Sequence, residues 1–394
     1  MAVNRITDHI FSVGVMNPSL RVFDIVMEAK YGTSYNAYFI DDRKTALVET
    51  VHLDYFDEYL NNIGQLTDIG AIDYLIMNHT ELDHSGSVLK LLELSPNMRV
   101  VCTAAAKKYL TAITNREFNC MVVKDGQELD LGSTKLKFVV APMLHWPDSM
   151  MTYHPADKVL FSCDFLGCHF CEPQVTDDCV KYWEEYQEQF AYYYAGIFGP
   201  FKPYVLAGLD KIEGLELKAV CPSHGPVLVK GIQDRMADYR KWSTPQPKTE
   251  KTAAVLYASA YGCTKLLAQK AYDTLNACGV KTQLLDMVTA PAEKSAQAIQ
   301  ESDVVMVGST TINKDAPKIV WDVLSRIDAI NIKNRPAAAF GSFGWSGEAS
   351  HMVSERLRQL RFQVEEPVRA NFMPDAHDLE AIEQTARTLA QKLQ

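Results

Sequence analysis

The chain has 394 residues, 47% of them apolar and 22% charged, with a formal net charge of -10. That is the composition of a folded protein too long for one ordinary core, so two domains are expected and disorder is not. The acidic balance argues against nucleic acid or an anionic membrane surface as partner, because both reward basic patches that release counterions.

The N-terminal run MAVNRITDHIFSVGV lacks the basic, apolar and small-residue order of a secretory signal, and a cytoplasmic protein is expected. Nine cysteines, an odd number without secreted spacing, fit a reducing compartment. Strand-like runs then come in neighbouring pairs, SYNAYFIDD before KTALVET and KLKFVVAP before MTYHPADKVLFSCD, interspersed with helical runs such as AAAKKYLTAI. This alternation predicts an α/β domain of mixed αββα layering over residues 1–245. The most apolar stretch, Phe190 to Leu209, is interrupted by Pro200, Lys202 and Pro203. It reads as core helices joined by a Gly-Pro turn, not as a membrane span.

Within that half, HTELDH (His79 to His84) follows the apolar run YLIMN. His79 is therefore expected at a strand end, with the next residues in a tight loop that enters the helix SVLKLLEL and Gly86 placed to assist the turn. Alone, such a run also reads as an N-cap. Further along, His145 precedes Trp146-Pro147, Asp164 ends the strand VLFSCD, and His224 follows KAVCPS and precedes Gly225-Pro226. A single histidine is more often a packed or surface group, and a single aspartate at a strand end a turn former. With His145, Asp164 and His224 following in this order and each at a strand end, His79, Glu81, Asp83, His145, Asp164 and His224 read as the ligands of a two-metal centre. Several carboxylates suit a harder ion such as iron, whereas histidine-rich clusters suit zinc. Iron can also change oxidation state and deliver electrons to a bound gas.

Residues Ser243 to Lys251, STPQPKTEK, hold two prolines and hardly any apolar content, which marks a linker. From residue 252 to 394 strands and helices alternate: AAVLYAS, KLLAQKAYDTLNAC, KTQLLDM, a polar helix around Ser295 to Gln300, DVVMVGS, PKIVWDVLSRI, AAAFGS and HMVSERLRQL. This predicts a doubly wound parallel sheet, which binds ligands beyond the C-terminal ends of its strands. Three loops sit there. The first is Ser259, Ala260, Tyr261, Gly262, Cys263 and Thr264, whose hydroxyls and glycine-freed amides suit a phosphate at a helix start. The second is Ser309, Thr310, Thr311, Ile312 and Asn313. The third is Ser342, Phe343, Gly344, Trp345, Ser346 and Gly347, in which Trp345 offers a face for a planar ring or serves as a core anchor.

On these motifs the N-terminal half resembles the metallo-β-lactamase fold, and its union with a flavodoxin-like domain is similar to the flavodiiron proteins, or A-type flavoproteins. Hydrolases of the fold read His-x-His-x-Asp-His, and here Glu81 replaces the middle histidine. The resemblance covers almost the whole chain and implies two iron ions and FMN. It places His79, Glu81 and His145 on one iron, Asp83 and His224 on the other with His84 as a further ligand, and Asp164 as the bridge. It implies reduction of dioxygen to water, or of nitric oxide to nitrous oxide, in a head-to-tail homodimer or a tetramer of such dimers. Electrons are expected from a separate donor such as rubredoxin or reduced deazaflavin. One departure is Thr310, where the family often has proline. The competing reading is a zinc-dependent hydrolase with a fused flavodoxin module, against which Glu81 speaks; a second is a pure electron carrier. Cys168 and Cys171 form a CxxC beside His169 and, like Tyr192 to Tyr194, are expected to pack, with one tyrosine ring placed to border a gas pocket.

Overall fold

Alternation along very short strands sets the layering of the N-terminal half. In the computed structural model, which describes residues 3–393, the chain divides into compact units Met1–Pro245 and Gln246–Gln394. The division falls inside the proline-bearing segment.

In the first unit, one sheet of seven strands runs from Asn4–Arg5 through Ile10–Ser12, Tyr38–Ile40, Ala46–Val48, Tyr74–Ile76 and Arg99–Cys102 to Cys120–Val122. A second sheet of five orders Glu128–Asp130, Lys135–Val140, Met150–His154, Val159–Cys163 and Ala219–Pro222. Tyr38, Ile40, Ala46, Val48 and Ile76 from the first sheet share one buried cluster with Leu136, Phe138, Val159 and Phe161 from the second. The intervening residues Leu47, Leu75 and Val100 turn to the opposite face, where Tyr59, Leu91 and Leu110 cover them. Two sheets packed face to face with helices outside follow from this period of two. The runs expected to pair do so: Tyr38–Ile40 lies antiparallel to Ala46–Val48, and Lys135–Val140 to Met150–His154. The stretch around Phe190 forms helices Trp183–Tyr193 and Lys202–Ile212, joined by a π turn and a 3-10 turn at Gly199–Phe201. Among the described residues no helix is long and apolar enough to cross a membrane.

The second unit has one parallel sheet ordered Lys281–Asp286, Thr252–Ala258, Val304–Ser309, Pro336–Phe343, with Gln363–Val364 and Val368–Asn371 both paired to the last. Its three central strands, Thr252–Ala258, Val304–Ser309 and Pro336–Phe343, are buried on both faces. Ala254, Leu256, Val305 and Val307 pack with Ile299, Val320 and Val353, while Ala253, Val255, Val304 and Met306 pack with Leu267, Leu275, Ile382 and Leu389. Strand order reverses direction at Thr252–Ala258, the position at which doubly wound sheets open a crevice. The closing helix Ala376–Gln391, begun by a capping box at Asp375 and Asp378, follows the last of the sequence-predicted elements.

Candidate metal centre and flavin crevice

All the expected ligand segments emerge at strand ends of the first unit. His79 lies three residues beyond Tyr74–Ile76, His145 in the turn between Lys135–Val140 and Met150–His154, Asp164 directly after Val159–Cys163, and His224 two residues beyond Ala219–Pro222. One local expectation is corrected: Asp83 and His84 sit not in a loop but in a short helix, Leu82–Ser85, with Glu81 at its N-cap. Gly86 also acts differently from a flexible turn residue. Its C-cap dihedrals are helical, and a Cβ there would lie 2.5 Å from Leu82 O and 3.1 Å from Leu53 N, so what matters is close backbone approach.

The seven side chains converge. Ligand atoms of His79, Glu81 and His145 lie within 4.8 Å of one another, as do those of Asp83, His84 and His224, and of His79, His84 and Asp164. Asp164 faces both groups: Oδ2 is 3.3 Å from His145 Nε2 and 3.8 Å from His79 Nε2, while Oδ1 is 3.2 Å from His84 Nε2 and 3.4 Å from His224 Nε2. Glu81 Oε2 stands 3.2 Å from His79 Nε2 and 3.3 Å from His145 Nε2. Asp83 Oδ2 stands 3.0 Å from His224 Nε2 and 3.3 Å from His84 Nε2. Yet both oxygens of Asp83 are buried without a hydrogen bond of acceptable geometry. Nitrogen lone pairs and carboxylate oxygens aimed at common points, with buried oxygens left unsatisfied, are what cations require. Four imidazoles and three carboxylates therefore fit two divalent ions.

Electrostatics agree. Burial would lower the His79 imidazole, but Asp148 and Glu81 hold it up at about 10. Burial opposes His84 too, and Asp83 and Asp164 raise it well above its ordinary value. Conversely, despite burial, His84, His145 and His79 keep Asp164 well below the usual carboxylate range. The pocket is built for positive charge.

Several supporting groups escape the sequence reading. Asp148 Oδ2 lies 3.3 Å from His79 Nδ1 and accepts the Thr80 hydroxyl at 2.7 Å. His224 Nδ1 donates to Ser34 O at 2.7 Å. Each contact leaves Nε2 aimed into the site. Buried Glu49 accepts the Asn78 amide at 2.7 Å, and burial pushes its acid up to about 8. Asp24, on the hairpin between Val22–Phe23 and Met27–Glu28, is pushed up to about 7 by burial and by Glu81 and Asp83. The HWPD run held a signal for Asp148, an acid three residues after a candidate ligand; Asp24 and Ser34 carried none.

Of the tyrosine run, Tyr193 is buried with its hydroxyl donating to Asp164 Oδ1 at 3.2 Å, Tyr194 is buried against Ser243, and Tyr192 is exposed. Cys168 packs in the core. The His169 ring between the two cysteines lies 4.9 Å from that of His224.

In the second unit the three loops follow three adjacent strands. Ser259 Oγ accepts the amides of Gly262 and Lys265 at 3.1 and 3.4 Å, which curls the first loop about its own serine. Gly262 has φ +88°, where a side chain is strained, and Cys263–Ala277 begins there as a helix. The Thr264 hydroxyl is buried and turned to Ser342, Oγ to Oγ 2.9 Å, so it ties the first loop to the third. The first-turn amides of Cys263 and Thr264, which lack intrahelical acceptors, suit an anion. Ser309 is buried, and Thr310 donates its amide to Ala258 O at 3.1 Å, a bond proline cannot make. Thr311 Oγ1 accepts the Ala349 amide at 3.4 Å, while Ile312 and Asn313 are exposed. Asn371 holds the third loop through Phe343 O and Gly344 O at 3.3 and 2.7 Å. Trp345 is 78% and Tyr261 95% exposed; Trp345 is thus no core anchor. Ala260 is exposed and Ser346 half-buried, with Gly347 buried beneath.

Comparison with known proteins accords with both halves. Residues 33–225 match the family described as ODP family beta lactamase, and residues 255–385 match Flavodoxin. The chain is 46% identical over 391 residues to flavo-diiron protein FprA2 of Clostridium acetobutylicum, covering 96% of each. It is 34% identical to the nitric oxide reductase of Moorella thermoacetica, covering 98% of each. Among solved structures, rubredoxin oxygen:oxidoreductase from Desulfovibrio gigas superposes with a TM-score of 0.70 at 28% identity, over 99% of this chain and 98% of that one. A carboxylate-rich pocket for two cations, a flavodoxin-type crevice and relatives of matching length make this chain a member of the flavodiiron protein family, oxidoreductases that carry FMN and a non-haem di-iron centre.

Proposed function

We propose that this protein reduces dioxygen to water, nitric oxide to nitrous oxide, or both, with electrons passed from FMN to the di-iron centre. One observation carries the reading: Asp164 presents one oxygen to the His79 and His145 side and the other to the His84 and His224 side. On this reading His79, Glu81 and His145 would hold one iron and Asp83, His84 and His224 the other, with Asp164 placed to serve both. The three loops Ser259–Thr264, Ser309–Asn313 and Ser342–Gly347 hold FMN. The relatives named nitric oxide reductase and rubredoxin oxygen:oxidoreductase support both gases and a rubredoxin-type donor.

Two ferrous ions and reduced FMN together supply the four electrons that dioxygen needs. The chain's residues do the rest. Asp148 and Ser34 O orient His79 and His224; Tyr193 donates to Asp164 and restrains its carboxylate. Trp146, edge-on to His79 with ring centroids 5.0 Å apart, shields that ligand from water. Burial and the nearby Glu81 and Asp83 carboxylates push the Asp24 acid up to about 7, so it can take up or release a proton near neutral pH beside Glu81. Because flavin and irons belong to separate folds, we place them together in a head-to-tail homodimer or a tetramer of such dimers.

The test is to reduce iron- and FMN-loaded protein anaerobically with photoreduced deazaflavin and to record consumption of each gas separately. The expected result is uptake of one or both gases, lost in His79→Ala. Two zinc ions with hydrolytic activity and no gas uptake would establish the hydrolase instead. Unchanged gas reduction in His79→Ala would leave the first unit as a scaffold for an electron carrier.

A further inference from the structure

Away from the metal cluster, two cysteines touch. Cys102 ends the strand Arg99–Cys102 and Cys120 begins the neighbouring parallel strand Cys120–Val122. Their register pairs Val100 with Cys120 and Cys102 with Val122, so both thiols project from one face as diagonal neighbours. Their sulfurs are 3.7 Å apart. Cys102 is fully buried and Cys120 half-buried. Cys120 belongs to the edge strand of its sheet, only three residues long.

We propose that Cys102 and Cys120 form a peroxide-reactive dithiol site that closes reversibly to a disulfide. The half-exposed sulfur is the one an oxidant meets first, and the buried one resolves it. Cys102 and Cys120 share an S–H···S contact, and Lys107 and Arg99 lie near; that contact and the two cations act together against burial to lower the Cys120 thiol, which favours its thiolate. The Cys120 thiolate attacks one oxygen of hydrogen peroxide, the O–O bond breaks, and a sulfenic acid and hydroxide form. Cys102 then attacks the Cys120 sulfur; the S–S bond forms, the S–O bond breaks, and water leaves with the Cys102 proton. The hydroxide takes up the proton that Cys120 had lost. Two thiols have thereby given two electrons and two protons, and peroxide has become two waters. Closing the sulfurs to about 2.05 Å asks for movement of a short edge strand, not of a central one. The next residue, Thr103, donates to Asp148 O at 3.0 Å, so the dithiol sits one residue from the support of His79.

The experiment treats the purified holoenzyme with hydrogen peroxide near stoichiometric amounts, blocks free thiols, digests without reductant and maps linked peptides by mass. The expected product joins the Cys102 and Cys120 peptides, lighter by two hydrogens than the two thiol peptides together, and is lost on adding reductant. In Cys102→Ser, Cys120 should instead be trapped as the sulfenic acid by dimedone. Either of two outcomes in the wild-type chain overturns the proposal: Cys120 passes to the sulfinic acid or stays a thiol, or the linkage formed joins other members of the nine cysteines. A parallel sample oxidised with diamide, which needs no iron, separates the causes. A Cys102–Cys120 bridge with diamide but none with peroxide refutes the reactivity, and none with either refutes the geometry.

Discussion

Asp148 shows how much of a candidate ligand's behaviour lies outside its own side chain. Its carboxylate is fully buried, faces His79 Nδ1 and is itself held by Thr80. Asp148→Asn keeps the shape and removes the charge, so affinity for the ion on the His79 side should fall roughly 10–100-fold. Metal titration should show that loss with affinity on the His224 side kept; equal loss at both positions would mean a general structural defect. A histidine far from the metals behaves oppositely. His154 is buried, accepts the Asp157 amide on Nδ1 at 3.1 Å and meets Thr134 Oγ1 through Nε2 at 3.1 Å, which the neutral ring satisfies. Burial lowers its proton affinity. Its folded value is thus below the unfolded one of about 6.5, and in mild acid the unfolded chain binds the extra proton. The stability it lends is complete above about pH 6.5 and declines as pH falls from there toward the folded value. Urea unfolding at pH 7.5 and 5.5 should show a larger loss in the wild type than in His154→Gln; equal losses would remove His154 as the cause.

At the scale of elements, the short helix Leu82–Ser85 decides whether Asp83 and His84 reach the site. It was legible only as a ligand-rich run, because helical turn and tight loop have the same composition over four residues. The helix ends at Gly86, where an added Cβ meets backbone atoms that cannot yield. Gly86→Ala should therefore shift the helix and lower bound iron from two ions per chain toward one, measured by elemental analysis alongside circular dichroism. Two ions with a native spectrum would show that the backbone accommodates the methyl. In the second unit, the central strands were readable from composition because both faces are buried and their runs are nearly continuously apolar. The contact between Thr264 and Ser342 was not, since residues 78 positions apart carry no mutual signal in one sequence.

For the molecule as a whole, each unit buries clusters of its own: among the described residues, those of the first run as far as Tyr239 and those of the second begin at Ala253. A protease site placed between Pro245 and Gln246 should release two parts, one retaining iron and the other the yellow of FMN, with gas reduction lost by orders of magnitude. Loss of iron from the first part on cleavage would show that its fold depends on the second. The acidic surface expected from a charge of -10 favours donors that present basic groups, and activity should decline as salt rises.

By itself the sequence determined the two-domain division and the sheet types and singled out seven ligand-type residues that the fold brings together, because hydrophobic period and side-chain chemistry are local properties. Only the tertiary structure decided which oxygen of Asp164 faces which histidines, that Asp148 and Ser34 aim the imidazoles, and that Cys102 lies against Cys120. Those facts depend on strands distant in the chain arriving side by side, and the spacing of residues along one strand does not specify what its neighbour brings.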